Sequence, residues 1–214
     1  MNIDRSAHWD DRYRNIGYRN VSWFSPEPDP SIALLQFTGA DLNASVVDVG
    51  AGAALFVDEL IEMGFRDITV MDVSSVALDE ATTRVAGSGS INPVKWVQAD
   101  VLEWEPGRTW DVWHDRANFH FVNRDEDIAV YRDLMARSVA PGGHAVIGTF
   151  SPQGPLTCSG LPVARYSTNE LAAVFQPEFE LVAATNHSHT TPSGESQEYS
   201  WVVLRRVGRP STTP

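Results

Sequence analysis

Ser45-Val46-Val47-Asp48-Val49-Gly50-Ala51-Gly52-Ala53-Ala54 is the stretch that decides the fold. The valine-rich half favours a strand buried on both faces, and Gly50 ends it. Without Cβ atoms, Gly50 and Gly52 permit a tight turn and let a ligand approach the main chain. Residues 53–63 follow with Leu55, Phe56, Leu60, Ile61 and Met63 at helical spacing. Together they open a strand–helix–strand unit.

The alternation continues downstream. Residues 67–72, 93–100 and 110–115 read as three further strands, and residues 75–85 and 125–139 as helices. Pro141-Gly142-Gly143 turns into a fifth strand over 144–150. Ser167-Thr168-Asn169-Glu170 is a capping-box pattern that opens a helix ending at Phe175. Residues 179–185 and 199–205 have no helix between them, so they are expected to pair as an antiparallel hairpin. Upstream, residues 31–37 read as a short helix. Before it, the alternating prolines of Ser25-Pro26-Glu27-Pro28-Asp29-Pro30 predict a stiff extended connector. The expected fold class is α/β, with a seven-stranded, mostly parallel sheet between two layers of helices. The expected organisation is an N-terminal arm over 1–30, a body over 31–206 and a polar tail over 207–214.

Bulk properties narrow the partners. A chain of 214 residues fits one domain with a good-sized core. Its apolar runs are strand-sized, too short to cross a bilayer, and residues 1–10 lack the pattern of a secretion signal. Cys158 is the lone cysteine, which rules out an intrachain disulfide and a cysteine-rich zinc site. A cytoplasmic location is expected. Lys and Arg number 16 against 28 Asp and Glu, a formal charge of −12. That balance argues against nucleic acid, whose phosphates call for a basic face. It leaves a small molecule or a basic protein as partner, and no oligomeric state is implied.

In open α/β sheets, ligands bind beyond the carboxyl ends of the strands. Four groups fall there: the Gly50–Gly52 bend, Asp72, Asp100 with Val101, and His114-Asp115-Arg116. An acid at 72 can accept both hydroxyls of a ribose, and Asp100 can accept from an adenine amino group. Asp48-x-Gly50-x-Gly52, Asp72, Asp100, Trp110-Asp111-Val112-Trp113 and Ala140-Pro141-Gly142-Gly143, in that order, resemble the motif set of class I S-adenosylmethionine-dependent methyltransferases. The resemblance spans roughly residues 45–150 and implies a Rossmann-like three-layer sandwich. It implies that Asp48, Gly50, Ala51 and Gly52 face the amino-acid half of S-adenosylmethionine. Asp72 and Val73 would hold the ribose, Asp100 and Val101 would frame the adenine, and His114, Asp115 and Arg116 would line the methionine side. Two positions depart from familiar patterns. Ala54 stands where the family often has a third glycine, and Leu55 breaks the Gly-x-Gly-x-x-Gly of a dinucleotide site. His8-Trp9-Asp10-x-x-Tyr13, Trp113 to Phe121 and Cys158 to Pro162 resemble a small bacterial subgroup of that family.

Methyl transfer from a sulfonium needs alignment, exclusion of water and sometimes removal of a proton. By topology, three loops reach the acceptor: those after the fourth and fifth strands, and the turn of the hairpin. They bring four of the six histidines and Cys158 to one rim. His120 is the first candidate for a base or acceptor-orienting group, against a histidine bonded to backbone at a helix start. Asp115 is the second catalytic candidate, against an ion pair with Arg116. His189 is a candidate substrate contact, against a solvated loop residue. Cys158 is another, against an inert buried thiol. No metal site is expected. Trp9, Tyr13 and Trp23 read as a lid that touches cofactor and substrate, against simple packing on outer helices. The expected activity is transfer to an O, N or S atom of a small molecule, leaving S-adenosylhomocysteine. The alternatives are a protein-lysine methyltransferase and a cofactor-binding partner without turnover.

Overall fold

A computed structural model describes residues 4–87 and 94–208. The elements run α1 (Arg5–Ile16), α2 (Ser31–Phe37), β1 (Ser45–Val49), α3 (Phe56–Met63), β2 (Asp67–Asp72), α4 (Ser75–Gly87), β3 (Val94–Gln98) and β4 (Trp110–Arg116). A 3-10 turn (Phe119–Phe121) leads into α5 (Asp125–Ser138) and β5 (Val139–Phe150). A two-residue ribbon, β6 (Thr157–Cys158) and β7 (Leu161–Pro162), precedes α6 (Thr168–Val174), β8 (Phe179–Thr190) and β9 (Ser196–Arg206).

The seven-stranded sheet has the order β3-β2-β1-β4-β5-β9-β8. The first five strands are parallel, while β9 runs antiparallel to β5 and to β8. This is the α/β, Rossmann-like sandwich with its C-terminal hairpin. The strand order reverses between β1 and β4, so their carboxyl ends frame the crevice where such sheets bind ligands. Every residue of β1 is buried, as its sequence requires. Its alternate side chains feed two cores, Val47 and Val49 on the α5–α6 face and Val46 on the α2–α3 face.

Several boundaries differ from expectation. β5 begins at Val139, because the chain pairs with Trp110 before the Pro141–Gly143 bend, which becomes an irregularity within the strand. Polar residues 186–190 extend β8, where a loop was expected, because the pairing with β9 continues to Thr190–Ser196. The capping box forms as read: Ser167 and Glu170 bond reciprocally at the start of α6. The proline connector is not fully extended, since the carbonyls of Pro28 and Pro30 already accept bonds from Ile32 and Leu34. Helix α1 was not foreseen. Asp4 caps it by accepting from the Ala7 N–H, and Trp9, Tyr13 and Ile16 mark one face. The expected strand start at Pro93 and the tail beyond Gly208 lie outside the described residues. No helix among the described residues is long and apolar enough to cross a membrane.

Candidate active site

A cavity of about 950 Å³ opens along the carboxyl ends of β1, β2 and β4, beneath α1. That is at the upper end of the roughly 300–1,000 Å³ of small-ligand sites, so it has room for two partners side by side. Asp72, Val73, Asp100 and Val101 line one end; Trp23, Phe121, Cys158 and Leu161 line the other. Trp9, Tyr13, Gly50 and Arg116 also border it.

At the first end the backbone sets the shape. Gly50 and Gly52 have φ of 65° and 57°, a region costly for residues with a Cβ. A Cβ at 50 would stand 2.4 Å from the Asn118 side chain, and one at 52 only 2.1 Å from the Tyr13 hydroxyl. The bend is therefore glycine for two reasons, conformation and close approach. Ala51 ties the bend to β2 by donating its N–H to the Met71 carbonyl. Asp72 accepts from Gly52 N and Ser74 N, each at 2.7 Å. An ionised carboxylate has about four acceptor sites, so capacity for two more donors remains. Burial, aided by the nearby Asp48 charge, pushes the Asp72 carboxyl up to about 6 against its backbone hydrogen bonds. Asp100 accepts from Leu102 N and from the Arg5 guanidinium at 3.1 Å.

Asp48 sits deeper than the sequence suggested. Its carboxylate is 2.7 Å from His114 Nδ1, and Ser31 Oγ lies 2.9 Å from His114 Nε2. All three are buried, with the His114 ring stacked on Phe56. This chain joins α2 to the sheet behind the bend. Asp115 is likewise committed. It accepts from Asn118 N, Asn118 Nδ2, Phe119 N and the Tyr131 hydroxyl, and so fixes the turn after β4. No ion pair with Arg116 forms; Arg116 instead lies over the Tyr199 ring at 6.0 Å. His120 is fully buried among Phe121 and Phe150 and accepts from Phe150 N at 3.4 Å. Burial pushes it down to about 3. It belongs to the core behind the loop, away from the cavity wall. His189 is also buried, bonded to the Ser22 carbonyl at 2.8 Å, so it braces the N-terminal segment. Cys158 lines the cavity, yet burial pushes its thiol up to about 11, a resting thiol rather than a nucleophile. Among the described residues, no group of three His, Cys, Asp or Glu side chains is placed to hold a metal ion.

Helix α1 is pinned over the cavity by polar contacts. The Ser74 hydroxyl donates to Asp10 at 2.7 Å, and Ser75 and Val76 N add bonds at 3.3 and 3.2 Å. Asp10 thereby caps the start of α4 from another helix. Burial disfavours its charge, but these bonds and Arg14 outweigh that and hold its carboxyl below the ordinary value. Ser6 bonds to the Val73 carbonyl, and Trp9 packs edge-on against Trp23 and Phe121. Sequence reasoning missed Ser6 and the role of Asp10. Asp10 stands within a polar run, and only its distance from Ser74 reveals its use.

Residues 46–143 match the methyltransferase domain family, and that match together with the sheet order supports a class I, Rossmann-like S-adenosylmethionine-dependent methyltransferase. Among curated proteins, the chain is similar to EEF1A lysine methyltransferase 2 of Danio rerio, with 25% identity over 176 residues, 79% of this chain and 70% of that protein. Among solved structures, it resembles one from work on the conversion of a disulfide bond into a thioacetal group during echinomycin biosynthesis. The TM-score is 0.77 at 20% identity, covering 97% of this chain and 93% of the other. It also resembles the 1,6-didemethyltoxoflavin-N1-methyltransferase of Burkholderia thailandensis, solved with 1,6-didemethyltoxoflavin and S-adenosylhomocysteine. There the TM-score is 0.69 at 19% identity, covering 95% and 84%.

Proposed function

We propose that this enzyme methylates a small-molecule acceptor seated at the aromatic end of the cavity, with α1 as a lid over both ligands. The observation that carries the reading is the continuity of the cavity from Asp72 and Asp100 to Trp23 and Phe121, with Trp9 and Tyr13 of α1 on its wall. Asp72 would take the two ribose hydroxyls, Asp100 and Val101 the adenine, and the bend at Gly50–Gly52 the methionyl half, with Val73 beside the ribose. Bound S-adenosylmethionine would supply a methyl group on a sulfonium, which leaves without an acid. The chain's own work is then positional. Trp9, Trp23 and Phe121 exclude water and hold a flat or apolar acceptor, while Asp115 locks Asn118 against the bend. In this reading Asp115 fixes the turn after β4 and His120 packs in the core behind it, and neither moves a proton. Residues 1–30 act as the lid and 31–206 as the catalytic body.

A protein-lysine acceptor is the second reading, favoured by the Danio rerio relative and by the charge of −12. Methyl-labelled cofactor incubated separately with a metabolite extract and a protein extract separates the two. Label in metabolites supports the small-molecule reading. Label confined to protein overturns it.

A further inference from the structure

Behind the glycine bend lies a second, smaller cavity of about 30 Å³, room for a group or two the size of water. Trp23, Gly50 and Arg116 border both this cavity and the large one, so the two adjoin. Its polar lining includes Ser31, Asp48, His114 and Arg116. Three of these form one chain: Asp48 Oδ1 lies 2.7 Å from His114 Nδ1, and Ser31 Oγ lies 2.9 Å from His114 Nε2. A carboxylate only accepts, so Nδ1 is the donor. Phe56, stacked at 4.0 Å, fixes the plane of the imidazole, and Ser31 fixes its far edge. The order of groups is that of a hydrolytic triad, but so small a cavity admits no acyl substrate, and all three side chains are buried. Ser31 also opens α2 straight after the proline run, so the chain ties the N-terminal segment to the tip of β1.

Only one oxygen of Asp48 is used. Among the described residues no donor reaches Oδ2, although a carboxylate has about four acceptor sites. Arg116, in the same lining, has no carboxylate partner among the described residues and meets the face of Tyr199. The small cavity thus offers an acid with acceptor capacity to spare and a base without an acid, the complement of a zwitterionic amino-acid head group. We infer that Ser31 and His114 are positioning residues for S-adenosylmethionine: they hold the Asp48 carboxylate so that its free oxygen receives the α-ammonium of the methionyl end. An ammonium is close to water in size and enters where the rest of the cofactor cannot. The carboxylate of the same head group would lie toward Arg116. Neither Ser31 nor His114 touches the ligand; both act through Asp48. These roles rest on the placement of the methionyl half at the Gly50–Gly52 bend, and they hold whichever acceptor is methylated.

Calorimetric titration of the full chain tests them with four ligands: S-adenosylhomocysteine, its analogue without the ammonium, its analogue without the carboxylate, and 5′-methylthioadenosine, which lacks both groups. His114→Phe keeps a ring against Phe56 but removes the donor. Ser31→Ala removes the contact at the far edge of the ring. His114→Asn keeps an N–H near the place of Nδ1. His114→Phe should weaken the two ammonium-bearing ligands about tenfold and Ser31→Ala about threefold, as expected for one charge-assisted bond and one weaker bond behind it. The two ligands without an ammonium should bind both variants as tightly as the wild type, and His114→Asn should recover most of the loss. A merely structural role would lower all four affinities together. Positioning is overturned if either folded variant weakens the four ligands equally or weakens none; should His114→Phe not fold, Ser31→Ala decides. Asp72→Ala is the control for the underlying placement and should weaken all four alike through the ribose. If that control behaves so while the variants at Ser31 and His114 show no selectivity, only this inference falls. Wild-type protein that binds none of the four removes the cofactor placement as well.

Discussion

At the scale of single residues, two side chains with opposite fates show how chemistry depends on position. Asp72 sits at a strand tip with acceptor capacity to spare, whereas His120 is enclosed by aromatic rings. Asp72→Ala should weaken S-adenosylhomocysteine binding by about 1–3 kcal/mol, read by calorimetry. The pH dependence has a definite sign. Hydroxyl donors favour the ionised carboxylate, and Asp72 protonates near 6, so affinity should hold above pH 7 and fall as pH drops through about 6. Asp72→Asn should flatten that profile. His120→Ala should act on stability instead, costing about 2–4 kcal/mol as a core truncation. Its pH–rate profile should match the wild type, because a group held near 3 does not titrate in the working range. A shifted profile with unchanged melting would restore His120 to the chemistry. The strand-tip acids were legible in the sequence because a strand's end fixes where its last side chain stands. The burial of His120 was not legible, because topology places a loop at a rim without saying which of its side chains turn inward.

Among the elements, α1 contributes most and was least visible. Its apolar face is only Trp9, Tyr13 and Ile16 in a polar helix, a stripe too thin to outweigh the charged residues around it. Its docking depends on Asp10, whose acceptor bonds to Ser74, Ser75 and Val76 span more than sixty positions of sequence. No local pattern encodes a contact of that kind. Asp10→Asn should raise hydrogen exchange along α1 while leaving β1 and β4 protected. Acid should do the same. A carboxyl depressed in the docked state stabilises docking fully above its ordinary value of 3.8 and loses that contribution as pH falls through the lowered one. Unchanged exchange in the variant would mean that aromatic packing alone seats the helix. The hairpin shows the opposite bias, since the sequence indicated both strands but shortened them. Residues 186–190 look like loop because they are polar, and they are strand because β9 continues beside them.

For the whole molecule, the mostly parallel sheet and a ligand site at its carboxyl edge followed from a rhythm of buried strands and amphipathic helices, which composition alone could not supply. The sheet was legible from Val46 onward because its central strand must bury both faces, a demand that shows in every residue of β1. The acceptor end was not, since it is assembled from α1, β4 and β6, elements whose meeting depends on the completed fold. Net charge acts at this scale too. With 28 acids against 16 bases, the chain should show no retention of duplex DNA at about 0.15 M salt, tested by mobility shift. Tight, salt-sensitive binding would reveal a basic face that the charge count conceals.

The Tyr13 hydroxyl rests where a side chain on residue 52 would have to begin. A single methyl group added there would work as a wedge, prising the first helix outward while the sheet beneath stayed whole. Gly52→Ala should therefore resemble the loosened helix of Asp10→Asn, with exposed tryptophan fluorescence near Trp9 and Trp23, more than it resembles a broken core. In this protein the narrowest residue in the crevice also keeps the roof on.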